Sequence, residues 1–271
     1  MIIMNLAWLT DIHLNLLGSD TRRNFYKEII ATQCDAILIS GDIAEAPCLT
    51  EILNEMAKDI SKPIYFVLGN HDYYGSQINE VRKIVIDLTQ KNHNLLWLSA
   101  LGIEQLNNEI FIVGEDGWAD GRLGDYQNSK VILHDSRLIA DLFQEKICGK
   151  FKLLEKMQQL ADKDAINLKQ KFEDIAIKNP KKIIVLTHVP PFKEACLHMG
   201  KVSDDNWLPY FSSKAMGDVL LNVAKENLSI EFVVLCGHTH SQANYRASDN
   251  LTIKVGKAEY NEPIIQELII V

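Results

Sequence analysis

Ile64-Tyr65-Phe66-Val67-Leu68-Gly69-Asn70-His71-Asp72 is the stretch whose reading decides the fold. Five apolar or aromatic residues in a row suit a strand buried on both faces. The run stops at a glycine, followed by three side chains able to hold a metal or move a proton. The same grammar recurs along the chain. Residues 2–9 run into Thr10-Asp11-Ile12-His13, and residues 36–39 into Ser40-Gly41-Asp42. Residues 183–186 run into Thr187-His188, and residues 232–236 into Gly237-His238-Thr239-His240. Helical spacing occupies 24–32, 49–58, 81–90 and 214–225 between them. After His240 the segments 243–247, 251–255 and 264–271 read as consecutive strands, with a turn at Ser248-Asp249-Asn250. This alternation predicts an α/β protein whose polar residues gather beyond the carboxyl ends of its strands, where such folds bind ligands.

Residues 115–180 interrupt the rhythm. A Gly- and Asp-rich stretch from Glu115 to Tyr126 comes first, then a long helical region. Its apolar positions are expected at Phe151, Leu154, Ala161, Ala165, Leu168, Phe172 and Ile175, with Gln158 in the skipped place. Such a stripe suits either a coiled-coil partner or, more commonly, the helix's own core. Trp118, Asp120, Arg122 and Tyr126 read equally well as a substrate rim, with Arg122 gripping a phosphate oxygen, or as a glycine-rich loop with an aromatic anchor. His198 and Trp207, after Pro190-Pro191, could line the mouth of the site, with packing or a surface role the commoner reading. His93 and His134 lie outside every motif and read as ordinary polar residues.

Each strand-end motif has an ordinary reading by itself. Asp42 alone would pass for a helix N-cap. Asn70 after a glycine would pass for turn chemistry, and His188 beside Pro190-Pro191 for a hydrogen-bonded turn residue. Five turns that all end in oxygen or imidazole ligands make chance a poor account. Carboxylate, carboxamide and imidazole together suit Mn²⁺, Fe or Zn²⁺, and the lack of cysteine among them disfavours a structural zinc site. Asp42 is the candidate bridge between two ions, on the expectation that a bridge offers two oxygens and a negative charge. The i, i+2 spacing lets Asp11 and His13 act together, and likewise His238 and His240.

In this order, Asp11-x-His13, Gly41-Asp42, Gly69-Asn70-His71-Asp72, His188 and Gly237-His238-Thr239-His240 resemble the motifs of the calcineurin-like metallophosphoesterase superfamily. The resemblance runs from Asp11 to His240, and no metal-binding position of the pattern is missing. It implies a four-layer α-β-β-α sandwich of two mixed β-sheets flanked by helices, with a helical insertion around 115–180. It implies two divalent ions: Mn²⁺ foremost, with Fe, Zn²⁺, Mg²⁺ and Ni²⁺ as alternatives. Asp11, His13, Asp42 and His240 would hold one ion. Asp42, Asn70, His188 and His238 would hold the other. His71 matches the family's catalytic histidine, which is not a ligand, and Asp72 the acidic residue that orients it. The implied reaction is hydrolysis of a phosphomonoester or phosphodiester by a hydroxide generated between the two ions. The resemblance thins over 115–180, where related enzymes carry variable, substrate-selecting elements.

Composition bounds the rest. The 271 residues suit a single domain, 1–271, with a variable insertion at about 115–180. The net charge of −8 disfavours a basic groove for long nucleic acid and leaves a small phosphorylated, nucleotide-like substrate as the expected partner. A nuclease acting on short nucleic acid, or a metal-binding interaction scaffold without catalysis, are the alternatives. No apolar run approaches the length of a membrane span. The first nine residues lack the basic flank and cleavage site of a signal peptide and read as a core strand. Five scattered cysteines show no disulfide framework. A cytoplasmic location is expected.

Overall fold

A computed structural model describes residues 3–173, 178–198 and 200–271. Two sheets carry the architecture. In the first, β1 (Asn5–Leu9), β2 (Ala36–Ser40), β3 (Ile64–Val67) and β4 (Leu95–Trp97) lie parallel in that order. The second has a parallel centre of β6 (Ile110–Gly114), β7 (Lys182–Leu186), β10 (Glu231–Cys236) and β12 (Leu251–Val255). Its antiparallel edges are β5 (Glu104–Gln105) and β11 (Ala243–Ser248). A small ribbon, β8 (Leu197–His198) with β9 (Lys201–Val202), stands apart from both.

The period-2 alternation of side chains explains why the apolar runs are continuous. Leu6, Trp8, Ala36, Leu38 and Val67 of the first sheet meet Ile112, Ile184, Leu186 and Leu235 of the second, forming the core between the sheets. Their alternate neighbours point outward to helices. Ala7, Leu9, Ile37, Ile39 and Phe66 pack under α1 (Ser19–Ala31), α2 (Ala46–Ile60) and α3 (Ile78–Lys91). Phe111, Val113, Ile183, Val185, Phe232 and Val234 pack against the distal part of α6 (Lys150–Glu173) and against α7 (Lys214–Glu226). The result is four layers, as expected. Truncating a fully buried residue between the sheets, such as Leu38→Ala, costs about 2–5 kcal/mol on the usual scale.

Three expectations need correction. The last strand, β13 (Glu267–Ile270), does not follow β12 in the second sheet; it crosses back and pairs antiparallel with β1. The sequence reading also passes over β6, although its apolar run Ile110-Phe111-Ile112-Val113 is as plain as the others. Within the insertion, α4 (Asp135–Leu138) and α5 (Ala140–Cys148) lead into α6. The α6 helix does pack on its own fold, and Ala161, Ala165, Leu168 and Phe172 face inward as expected, but its first turns differ. Leu153, Met157, Leu160, Ala161, Asp164, Ala165, Leu168 and Phe172 face inward, while Phe151 is 63% exposed and Leu154 only partly buried. Ile175 lies outside the described residues. No helix among the described residues is long and apolar enough to cross a membrane.

Candidate metal centre

The loops that leave β1, β2, β3, β7 and β10 at their carboxyl ends meet at one place. One donor atom from each of Asp11, His13, Asp42 and His240 lies within 4.8 Å of the other three. His240 Nε2 stands 3.3 Å from His13 Nε2 and 3.3 Å from Asp11 Oδ1. Asp42 Oδ2 is 3.9 Å from His13 Nε2 and, on its other side, 3.4 Å from His188 Nε2. From there the constellation continues. His188 Nε2 is 3.0 Å from Asn70 Oδ1, which is 2.9 Å from His238 Nδ1. All seven side chains singled out as ligands are therefore brought together, in two groups that share Asp42. The sharing differs from expectation in one respect. Oδ2 alone faces both groups, because Oδ1 accepts the His71 backbone N–H at 2.8 Å.

The protonation states test whether this is a cation site. His188 Nδ1 contacts the Ser40 carbonyl at 2.9 Å, and His238 Nε2 contacts the Tyr210 carbonyl at 2.8 Å. A carbonyl only accepts, so these nitrogens carry protons; on His238, whose pKa burial lowers, the opposite nitrogen then presents a lone pair, whereas His188 beside Asp42 holds a second proton that a cation would displace. Asn70 is oriented in the same way. Its Nδ2 donates to Asp135 Oδ1 at 2.9 Å and to Tyr74 Oη at 3.2 Å, which turns Oδ1 inward. Asn70 Oδ1 and His238 Nδ1 thus meet with no donor between them, beside His188 and Asp42. Donor atoms around one ion with ligand distances of about 2.1 Å lie about 3–3.5 Å apart, and all of these spacings fall near that range except Asp42 Oδ2–His13 Nε2 at 3.9 Å. The residues fit divalent cations.

Charge and strain point the same way. Burial alone would raise the pKa of Asp42, but His188, His71 and His13 hold it well below the usual carboxylate range. Burial lowers His13 to about 4. Burial would also lower His188, yet the adjacent Asp42 raises it to about 10. Asp11, His13, Asp42, His238 and His240 all have positive φ, between 38° and 73°. That conformation costs a non-glycine residue roughly 1–2 kcal/mol, and clusters of it mark functional sites. Glycine is needed at two nearby positions for space: a Cβ on Gly69 would strike the Asp42 carboxylate, and one on Gly237 would strike that of Asp11.

His71 stands beside the ligand groups, its Nε2 4.0 Å from Asp42 Oδ2. Its ring stacks on Tyr74, with centroids 4.2 Å apart, and is partly open to the cleft. Asp72 does not touch that ring. It is fully buried and accepts the backbone N–H groups of Ile43, Ala44 and Gly69 at 2.7–2.8 Å, pinning the β2 loop to the β3 loop. Burial pushes its pKa up to about 8, an effect the N–H donors partly offset.

Several residues at the site have no sequence signal. Asp135 comes from the insertion and accepts from both Asn70 and Tyr74, the latter at 2.6 Å. Tyr260 lies 4.8 Å from the His13 ring, and His134, His198 and Phe211 line the cleft. His134 is thus not the unremarkable residue expected. His198 also packs on Trp207, centroids 6.0 Å apart. Tyr74 could have been suspected from its place beside Asn70-His71-Asp72. The proposed substrate rim takes its structural form. Asp120 is buried, and Arg122 is committed to Asp120 at 3.1 Å and Asp162 at 2.7 Å, leaving no free fork for phosphate. Trp118 and Tyr126 are packed into the core.

A family model described as calcineurin-like phosphoesterase matches residues 4–242. No curated protein matches the sequence. Among solved structures, the chain is similar to phosphopantetheinyl hydrolase from Mycobacterium tuberculosis, with 13% identity over 94% of this chain and 89% of that one, and a TM-score of 0.66. A dimetal phosphatase from Danio rerio aligns at 12% identity over 94% of this chain and 87% of its own, with a TM-score of 0.58. TT1561 of Thermus thermophilus aligns at 12% identity over 94% and 90%, with a TM-score of 0.54. At these identities the likeness speaks for the fold.

Proposed function

The chain belongs to the calcineurin-like phosphoesterase family and is by class a metal-dependent phosphoric ester hydrolase, and from that premise we propose that it hydrolyses small phosphomonoesters or phosphodiesters at a two-cation centre. The proposed ligand sets are Asp11, His13, Asp42 and His240 for one ion, and Asp42, Asn70, His188 and His238 for the other, with Mn²⁺ foremost. What carries the reading is the convergence of seven ligand-type side chains around Asp42, where Asn70 Oδ1 meets His238 Nδ1 at 2.9 Å with no donor between those two atoms. When bound, the ions supply an acidified water and positive charge for the phosphoryl oxygens.

The protein's own groups do the rest. Asp42 keeps one oxygen turned to both ligand sets because the His71 N–H holds the other. The Ser40 and Tyr210 carbonyls fix which nitrogen of His188 and His238 is offered. His71, in its protonated form, donates a proton or a hydrogen bond to the departing alkoxide. The net charge of −8 supports a small substrate over long nucleic acid. Five cysteines without a pairing framework support a cytoplasmic setting. We treat 1–271 as a single domain in which the 115–180 insertion shapes the substrate site.

The test is a turnover panel with Mn²⁺, Mg²⁺, Zn²⁺ or Fe²⁺ against aryl monoesters, aryl diesters, cyclic nucleotides and dinucleotides. Metal-dependent hydrolysis that disappears in Asp42→Asn, together with bound metal, is the expected outcome. A metal-loaded protein that turns over nothing in the panel would instead be a binding scaffold.

A further inference from the structure

Beside the metal cleft, on the insertion side, lies a cavity of about 290 Å³. Its wall is mainly apolar, with Trp118, Leu133, Leu142, Leu153, Met157 and Tyr210 contributing most of what matters here. The cavity is not isolated from the site: Leu133 and Asp135 line both it and the metal cleft. Asp135 is also the residue that orients Asn70. A packed protein interior leaves few voids larger than a water molecule, and an apolar one holds water poorly. The volume is at the small end of spaces that hold organic ligands, about 300–1,000 Å³. Five of those six wall residues, from Trp118 to Met157, belong to the insertion.

Resting on the phosphoesterase reading above, we infer that this cavity receives the apolar organic group of the substrate, so that the preferred substrates are small phosphate esters of apolar alcohols. The phosphoryl group sits among the ligand residues and the organic group passes Leu133 and Asp135 into the apolar space. Carboxylate and imidazole groups on one side and aliphatic and aromatic ones on the other make a site for an amphipathic ester. A sugar-like polar leaving group would forfeit its hydration in such a space.

The experiment uses non-hydrolysable ligands, so that it does not depend on turnover. Binding of ethyl-, butyl- and hexylphosphonate to the Mn²⁺-loaded protein is measured by calorimetry. Each fully buried methylene is worth about fourfold in affinity, and partial burial over four methylenes still gives at least roughly 30-fold from ethyl to hexyl. Met157→Trp, which fills the cavity, should flatten this gradient and leave ethylphosphonate affinity within about twofold. Leu153→Phe serves the same purpose if that variant does not fold. Equal affinities along the wild-type series, no binding at all, or an unchanged gradient in the filled variant would overturn the inference. The two readings fail separately. A gradient without hydrolysis of any ester removes the enzyme reading alone, and hydrolysis with a flat series removes the cavity alone.

Discussion

Asp42 and His71 stand side by side, and on the proposed mechanism they divide the chemistry between them. Asp42 is the common member of the two proposed ligand sets, whereas His71 faces the same oxygen from 4.0 Å and belongs to neither. The expected result for His71→Ala is therefore full metal content with a rate lower by roughly 10²–10⁴, the usual worth of a positioned acid. Elemental analysis and turnover on one sample check it, and unchanged turnover would remove His71 from the mechanism. Asp135 acts through Asn70. In Asp135→Ala the carboxamide loses the acceptor that turns its oxygen inward, and metal affinity should fall roughly 10–100-fold, the range for groups behind a ligand. Calorimetric titration with Mn²⁺ reads this directly, and Asp135→Asn should recover part of the loss. At this scale the sequence was highly legible. Ligand types at strand ends announce themselves by chemistry, and all seven converge. Asp135 and Tyr260 were hidden because a lone polar residue in a variable loop has no pattern of its own.

Buried carboxylates hold the loops of the site in register. Asp72 ties the β2 loop to the β3 loop, and Asp116 ties β3 to its surroundings. Asp116 Oδ1 accepts from Leu68 N–H, Trp97 Nε1–H and Ser99 Oγ–H at 2.7–2.9 Å, and Oδ2 from Tyr73 Oη–H at 2.6 Å. Arg82 bridges it to Asp164 of α6, at 3.3 Å from each. Asp164 Oδ2 in turn accepts the Gly117 N–H at 3.0 Å. This linkage gives the buried face of α6 a charged member, Asp164, that apolar periodicity does not reveal. At its start the helix buries Leu153 and Met157, whereas the apolar spacing points to Phe151 and Leu154, two and one positions from Leu153. Asp116→Ala leaves Arg82 short of one partner and four donors unmet. It should cost about 3–5 kcal/mol, the scale for breaking a buried pair. A shift in the denaturation midpoint at unchanged slope checks it, and a loss below about 1 kcal/mol would mean that water replaces the carboxylate.

Across the whole molecule, sheets buried on both faces made β2, β3, β7 and β10 easy to read from their apolar runs, whereas β6, with an equally plain run, ends on none of the ligand motifs and was passed over. The route of β13 back to β1 was not legible, because which strand an exposed edge segment pairs with depends on long-range geometry. The α6 helix, an outer layer against the second sheet, carries the insertion's link to the site. Closure of the fold around the ligand cluster predicts a stability linked to metal. The site gathers strained, positive-φ residues whose donor atoms crowd together, and cations bound only by the folded state should raise its stability by about 4 kcal/mol at a thousandfold excess over Kd. Thermal unfolding with Mn²⁺ and with chelator measures this, and coincident curves would contradict it. The most direct measurement is anomalous diffraction from crystals grown with Mn²⁺. The account predicts two peaks about 3.5–4 Å apart, with Asp42 touching both and Asn70 in contact with one. A single peak remote from Asp42, or none within reach of these seven side chains, would contradict it.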